Sequence, residues 1–337
     1  MSKNKQIKVA INGFGRIGRT AFKFLEKNKN IKIVAINDLT DNATLAHLLK
    51  YDSVYGRYDK EVKSDSKNLY INKNKYPVFE EKDPAKLPWK KFGVDVVLEC
   101  TGIFREYKTA TQHIKAGAKK VVISAPAKGD NVATYIIGVN EDKYKGEDVV
   151  SMASCTTNCI APVTKVMQEN FGIKRAFLTT IHSYTADQNI VDGPHKDLRR
   201  ARAAAQNIVP TTTGAAIATT EIYPELKGKF DGIAVRVPTI CGSLSDLVFE
   251  LKIKTDIKKI HTAFKKAEKS KQLKNILRAT DEPIVSTDII GDEHSSIVDL
   301  SAMQILQGNF VKIIAWYDNE YAYSKRLSEM VEVMTQK

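Results

Sequence analysis

Cys155 stands in the run Ser154-Cys155-Thr156-Thr157-Asn158-Cys159, and the apolar spacing over residues 160–170, with a stop at Phe171-Gly172, is helical. That places Cys155 near a helix N-terminus, where unpaired N–H groups carry partial positive charge and stabilise a thiolate. A free thiol with a pKa of about 8.5 is mostly protonated at neutral pH, so such a setting is what makes a nucleophile of it. Cys159 falls on the same face four residues deeper, where a buried and inert thiol is expected. A nucleophile also needs a base. Of the six histidines, His182 ends the β-rich run 176–182, where a strand end could present it to Cys155, although spacing alone does not pair them. His47, His113, His195, His261 and His294 lie in polar or helical contexts and read as ordinary surface or structural residues. A thiol and an imidazole beside a nicotinamide would let the thiolate add to an aldehyde, hydride depart and a thioester remain. Taken alone, a cysteine is more often core than catalytic.

A second constellation is Gly13-Phe14-Gly15-Arg16-Ile17-Gly18, a G-x-G-x-x-G pattern that is weak by itself. Its context strengthens it: a β-rich run, 7–11, precedes it, and Ile17, Ala21, Phe22 and Leu25 follow at helical spacing. Asp38 stands 20 residues after Gly18, at the end of the next strand-like run, as a dinucleotide-binding unit requires. Gly13 would permit the tight turn, Gly15 the approach of a pyrophosphate, and Gly18 close packing of the helix whose N–H groups face the anion. Asp38 would accept from ribose hydroxyls and repel a 2′-phosphate, and the next residue is Leu39 rather than a basic one, which favours NAD over NADP.

The elements that must hold these residues fall into two textures. Over the first ~150 residues, β-rich runs at 31–36, 94–98, 120–123 and 135–139 alternate with helix-compatible segments, the pattern of a parallel α/β sheet. After Cys155, longer strands at 176–182, 232–237 and 247–253 suggest an α+β domain, and 183–207 is a long polar stretch of the kind that borders functional sites. A chain of 337 residues suits two domains. No apolar run is long enough to span a bilayer, and the N-terminus lacks a signal peptide's apolar stretch, so no membrane partner and a cytoplasmic location are expected. The four cysteines, Cys100, Cys155, Cys159 and Cys241, match neither a disulfide framework nor a zinc pattern, so no metal is expected. The net charge of +13 suits anionic substrates or nucleic acid. Its densest stretch, 252–274, sets lysines among Ile257, Ile260, Phe264 and Ala267 at helical spacing and reads as an amphipathic helix with a solvated outer face. Without a basic stripe interleaved with aromatics, nucleic acid is not expected as the main partner.

The run Ala153-Ser154-Cys155-Thr156-Thr157-Asn158-Cys159 resembles the active-site signature of glyceraldehyde-3-phosphate dehydrogenases. So, in the family's order, do the segments Asn12 to Arg19, Ile36 to Thr40, Tyr51 to Gly56, Glu99 to Gly102, Thr180 to Thr185, Pro210 to Ala216 and Trp316 to Glu320. The resemblance implies a Rossmann-type α/β dinucleotide-binding domain, 1–154 with 318–337, and an α+β catalytic domain, 155–317, with a mixed or antiparallel sheet and the site in the cleft between them. It implies oxidative phosphorylation of D-glyceraldehyde 3-phosphate to 1,3-bisphosphoglycerate in glycolysis, with inorganic phosphate and NAD, by a homotetramer. Cys155 would be the nucleophile and His182 the base. The substrate's phosphate would meet Thr185 and Arg236, and the attacking phosphate Ser154, Thr156, Arg200, Thr213 and Gly214. Arginine forks and hydroxyl donors suit both. The cofactor would meet Arg16, Ile17, Asp38, Ser124 and Asn319, and Lys82 stands where some relatives have an arginine near the adenine. Two further departures are Cys241-Gly242-Ser243-Leu244, where many relatives have Asn-Val-Ser-Val, and Ala322, where many have Gly. An erythrose-4-phosphate dehydrogenase, with the same thiol and histidine, is the alternative; the full second phosphate shell tilts the reading toward phosphorolysis.

Overall fold

Ile7–Asn12 is a central strand of the first sheet in the computed structural model, which describes residues 6–336; the N-terminal reading over residues 1–5 lies outside it. The last four residues of this strand are buried, as a β-branched run inside a helix-covered parallel sheet requires. Ile31–Asn37 pairs with it in parallel on one side and Val96–Glu99 on the other. Beyond Val96–Glu99 come Lys120–Ile123, Val149–Ser151 and Ala133–Thr134, all parallel.

The opposite flank departs from the all-parallel expectation. Asn74–Phe79 pairs in parallel with Ile31–Asn37, but Asn68–Ile71 and Val62–Ser64 then add antiparallel. The two-residue link after Ile71 explains the reversal, because Asn72 takes a left-handed φ of 51°, a conformation that asparagine tolerates in tight hairpins. The β-rich run 135–139 is not a strand. Gly138 turns the chain there with φ of 82°, and Asn140 Oδ1 accepts from the Ile136 N–H at 2.8 Å, so the buried apolar residues are held in a turn.

The described residues divide into two compact units. One comprises the chain up to Tyr135, Glu141–Ala153 and the chain from Ser324 onward; the other comprises Ile136–Asn140 and Ser154–Tyr323. In the second, Ile173–Ser183 pairs in parallel with Phe230–Val237 and antiparallel with Ser243–Leu251, within a mixed sheet of seven strands among the described residues. Four of its strands, Val209–Thr212, Leu277–Thr280, Ser296–Leu306 and Phe310–Tyr317, have no counterpart in the sequence reading. Helix Cys155–Phe171 packs on this sheet and ends at Gly172, whose φ is 63°. The basic stretch is a helix over Ile257–Ala267 that buries Ile260 and Phe264, and residues 184–208 contain no strand or helix. No helix among the described residues is long and apolar enough to cross a membrane.

The turn between Ile7–Asn12 and helix Arg16–Lys27 rests on two glycines. Gly13 has φ of 92°, and a Cβ there would lie 2.7 Å from Thr101 N and 2.8 Å from the Cys100 carbonyl carbon. A Cβ on Gly18 would run into the carbonyl oxygen of Gly13, so Gly18 lets the helix bury Ala21, Phe22 and Leu25 close against the strand. Gly15 is different, because a Cβ on it would meet nothing within 4 Å. Gly13→Ala is therefore expected to lower the unfolding free energy by roughly 2 kcal/mol, from left-handed strain and displaced backbone, whereas Gly15→Ala stays within roughly 0.5 kcal/mol of the parent. Denaturant unfolding of the two variants side by side tests this, and equal midpoints would contradict it.

Candidate active site

Cys155 is the first residue of helix Cys155–Phe171, and Ser154 is its N-cap, accepting from the Thr157 N–H at 3.0 Å. A cap of this kind contributes about 1 kcal/mol. Here it also fixes the direction in which the helix presents its first side chain. Just before it, Ala153 holds a left-handed φ of 50°, an unfavourable conformation for a residue with a Cβ and one concentrated at functional turns. Cys159 is fully buried, its sulfur 3.7 Å from the Ala315 carbonyl, and burial pushes its thiol up to about 12. It is the inert thiol of the pair.

His182 comes from the neighbouring strand Ile173–Ser183, and its Nε2 lies 3.4 Å from Cys155 Sγ. The parallel register sets Arg236 directly opposite His182. Around Nδ1 two groups converge: the Ser183 carbonyl is 2.7 Å away and Arg236 Nη1 is 2.9 Å away, and Nη1 is also 3.0 Å from that carbonyl. A carbonyl only accepts and a guanidinium only donates. With hydrogen on Nδ1, both Nδ1 and Nη1 donate to the two lone pairs of Ser183 O; the other tautomer would set a ring lone pair against the carbonyl at 2.7 Å. The Nε2 lone pair therefore faces the thiol, as a base must. Burial, reinforced by Arg236, pushes the imidazole down to about 3, and burial pushes the Cys155 thiol up to about 11 while Arg236 pulls it back. Both shifts favour the uncharged pair, a thiol beside a neutral imidazole.

Of the other expected site residues, Arg236 touches His182 and Arg200 bears on it through its charge. Arg236 Nη1 lies 3.4 Å from Thr185 Oγ1. Arg200 donates to Thr211 Oγ1 at 2.9 Å and to the Thr212 carbonyl at 3.2 Å, and pairs with Asp187. Its positive charge helps depress His182. Gly214 is the N-cap of helix Ala215–Ile222, and Thr213 Oγ1 accepts from the Ala215 N–H at 3.2 Å. The Thr156 hydroxyl is turned inward, 2.8 Å from the hydroxyl of Tyr317. Tyr317 was not singled out by the sequence, yet its hydroxyl also lies 2.9 Å from Thr180 Oγ1 and its ring meets that of His182 edge to face at 6.0 Å. The signal lay in Trp316-Tyr317-Asp318-Asn319-Glu320, which draws the eye to Asn319. Asn319 Oδ1 accepts from the Gly242 N–H at 3.1 Å and from Ser243 Oγ at 2.9 Å, which leaves its amide nitrogen aimed elsewhere. Glycine at 242 has a local reason, since its φ is 89° and a Cβ there would strike the Ser286 carbonyl; nothing in the structure explains Cys241. Ala322 lies in helix Tyr321–Thr335 without a positive φ, so its methyl carries no strain.

The glycine turn of the first unit opens onto a cavity of about 510 Å³, lined among others by Asn12, Gly13, Gly15, Asp38, Lys82 and Thr101, a size suited to a small ligand. The exposed face of Gly15, which offers no side-chain cap, and the positive N-terminal end of helix Arg16–Lys27 suit a pyrophosphate. Asp38 Oδ2 accepts from the Phe14 N–H at 2.6 Å and Oδ1 from the Thr40 N–H at 2.9 Å, so the carboxylate is fixed at the rim. The chain thus fits a dinucleotide. Ser124 follows Lys120–Ile123 at the carboxyl edge of the sheet, its N–H donating to the Glu99 carbonyl at 2.9 Å. Arg16 is a helix residue whose guanidinium turns away to pair with Asp52 at 2.9 Å, and Ile17, beside it, is half-buried. No group of three or more His, Cys, Asp and Glu among the described residues could hold a metal ion.

One chain that carries a dinucleotide cradle and a helix-capped thiol facing a buried imidazole defines a thiol-dependent, nicotinamide-linked oxidoreductase. Comparison with known proteins narrows the class. Residues 7–107 match the family model described as the NAD binding domain of glyceraldehyde 3-phosphate dehydrogenase, and residues 154–319 match the model of its C-terminal domain. The glyceraldehyde-3-phosphate dehydrogenase of Geobacillus stearothermophilus is 52% identical over 333 residues, covering 98% of this chain and 99% of the relative. That of Priestia megaterium is 51% identical over the same length, and glyceraldehyde-3-phosphate dehydrogenase 1 of Kluyveromyces lactis is 50% identical over 328 residues, or 97% of this chain and 99% of the relative. The chain belongs to the glyceraldehyde 3-phosphate dehydrogenase family.

Because the thiol is held above its ordinary value, alkylation of Cys155 by iodoacetamide is expected to quicken as pH rises through the alkaline range. Arg236 favours the thiolate, so Arg236→Leu raises the thiol pKa further and slows alkylation at a fixed pH by roughly tenfold. Mass spectrometry of the modified peptide across pH gives both profiles; superimposable curves would remove Arg236 from the electrostatics of the thiol.

Proposed function

We infer that this chain is a phosphorylating, NAD-dependent glyceraldehyde-3-phosphate dehydrogenase of glycolysis, with Cys155 as nucleophile and His182 as base. The observation that carries the reading is the 3.4 Å approach of Cys155 Sγ to the lone-pair nitrogen of His182. His182 Nε2 takes the thiol proton as sulfur adds to the aldehyde carbon and passes it to the carbonyl oxygen, which forms a hemithioacetal and shows why a thiol of raised pKa still reacts; as hydride leaves the carbon, His182 takes the hydroxyl proton back. Bound NAD supplies the hydride acceptor for the oxidation. A thioester then joins Cys155 to the acyl group, inorganic phosphate attacks its carbonyl carbon, and the released sulfur recovers a proton from His182 as 1,3-bisphosphoglycerate leaves.

Arg236 and Thr185 are assigned to the substrate's phosphate. Ser154, Thr156, Arg200, Thr213 and Gly214 are assigned to the attacking phosphate. Gly13, Gly15, Arg16, Ile17 and Gly18 are assigned to the pyrophosphate turn, Asp38 to the adenosine ribose, Lys82 to the adenine end, and Ser124 and Asn319 to the nicotinamide end. The domains are taken as 1–154 with 318–337, and 155–317. The curated relatives named above are glyceraldehyde-3-phosphate dehydrogenases, which disfavours the erythrose-4-phosphate alternative. A cytoplasmic setting accords with four free cysteines and a reaction that needs a reduced thiol.

A homotetramer is the assembly proposed. Helices pack on one face of the second unit's sheet, while Phe177 and Ile233 on its strands are 68% and 51% exposed. Large apolar side chains left in water on a regular sheet mark an interface. Light scattering is expected to give four times the 37.6 kDa chain mass, and Phe177→Glu a smaller particle.

NADH absorbance on mixing the protein with NAD and glyceraldehyde 3-phosphate tests the activity. Sustained turnover is expected only with inorganic phosphate, none in Cys155→Ser, and a rate lower by roughly 10²–10⁴ in His182→Gln. Phosphate-independent turnover would overturn phosphorolysis.

A further inference from the structure

Every guanidinium nitrogen of Arg200, the arginine assigned above to the attacking phosphate, is engaged by the protein itself. Nε donates to Thr211 Oγ1 at 2.9 Å, Nη2 donates to the Thr212 carbonyl at 3.2 Å, and Nη1 donates to Asp187 Oδ2. The three partners are not equally held. Thr211 and Thr212 belong to strand Val209–Thr212, which is paired along its length with Phe230–Val237, and the Thr211 hydroxyl itself donates to Asp197 Oδ2. Asp187 lies in the stretch 184–208, which has no strand or helix, and its side chain is 55% exposed where that of Arg200 is 17% exposed. Its other oxygen lies 3.9 Å from His195 Nε2.

A guanidinium grips a phosphate best with two parallel N–H donors from one edge of its fork. Each edge of Arg200 includes a nitrogen that the protein occupies, and the occupant of Nη1 is an anion. The threonine hydroxyl and the carbonyl are neutral acceptors and leave the arginine its charge; Asp187 cancels it. The neighbouring arginine feels both charges: burial above all lowers the pKa of Arg236, Arg200 adds to the fall and Asp187 opposes it.

We propose that Asp187 is a positioning residue that stands in for phosphate on Arg200, holding the guanidinium stretched along Val209–Thr212 and yielding Nη1 to the attacking anion. The inference rests on the assignment of Arg200 to the attacking phosphate. Its consequence is a tempered affinity, because each phosphate bound replaces an ion pair already made and meets a carboxylate of its own sign. A support that only oriented Arg200 would act the other way, since its loss would weaken the binding of phosphate.

Steady-state kinetics of the full-length protein against inorganic phosphate, with calorimetry of phosphate binding, read the sign. Asp187→Asn keeps the shape of the side chain and removes its charge. It is expected to lower both KM and Kd for phosphate by roughly fivefold, the upper range for a half-exposed ion pair, while kcat changes less. Asp187→Glu, which restores the charge, should return both constants to within about twofold of the parent, and in an Arg200→Leu background Asp187→Asn should leave them unmoved. The proposal is overturned if Asp187→Asn leaves the phosphate constants unchanged or raises them, or if only the KM for glyceraldehyde 3-phosphate falls. Turnover of the parent protein without phosphate would instead overturn phosphorolysis itself, and the proposal with it.

Discussion

The approach of Cys155 to His182 is the contact on which the second unit is organised. It needs a helix start and a strand end to meet within hydrogen-bond reach, and each is set by its own local device. Ser154 caps the helix and the left-handed Ala153 aims it, while the register of Ile173–Ser183 with Phe230–Val237 brings Arg236 to the far side of the imidazole. Arg236 acts on both partners in one direction: it opposes the imidazolium and favours the thiolate. The Ser183 carbonyl sets the ring's hydrogen, and the Tyr317 hydroxyl binds the helix to the sheet beneath through Thr156 and Thr180. Moving any of these by an ångström would spoil the alignment of the pair.

In the first unit the organising feature is the row of residues that closes the strand ends. Asn37, Asn12 and Glu99 join three strands side to side above the last backbone hydrogen bonds, and Gly13 packs against the Cys100–Thr101 peptide that Glu99 grips. Such a network is favourable only when every member is satisfied, and here each amide and carboxylate oxygen finds a partner. The cavity wall and the sheet edge are thus one structure.

Much of this was legible in the sequence, for physical reasons that differ by residue. Gly13, Gly18 and Asp38 sit at fixed offsets because the strand–turn–helix unit is local, and Cys155 could be placed because a capped helix announces itself within four residues. His182 was placed by the end of its strand, but its partner Arg236 lies 54 residues on, a register that no local pattern encodes. The hairpin after Ile71 hides behind a lysine-rich stretch, and the turn at 135–139 looks like a strand because its apolar residues are buried without being paired. His113 reads as an ordinary helical histidine; only the fold shows that Trp89 and Glu99 enclose it. Tyr317 was overshadowed by a more eloquent neighbour, since a buried tyrosine's second bond becomes visible only in three dimensions.

Asp38 brings two demands onto one side chain. Its oxygens tie down the N–H of Phe14 inside the glycine turn and that of Thr40 beyond the strand, while the same carboxylate is the group assigned to the adenosine ribose. Replacing this acid to suit the phosphorylated cofactor would also release the Phe14 N–H in the turn assigned to the pyrophosphate. Cofactor choice in this chain is therefore tied to architecture as well as to charge: one side chain is both the acid assigned to the ribose and the acceptor that holds the turn together.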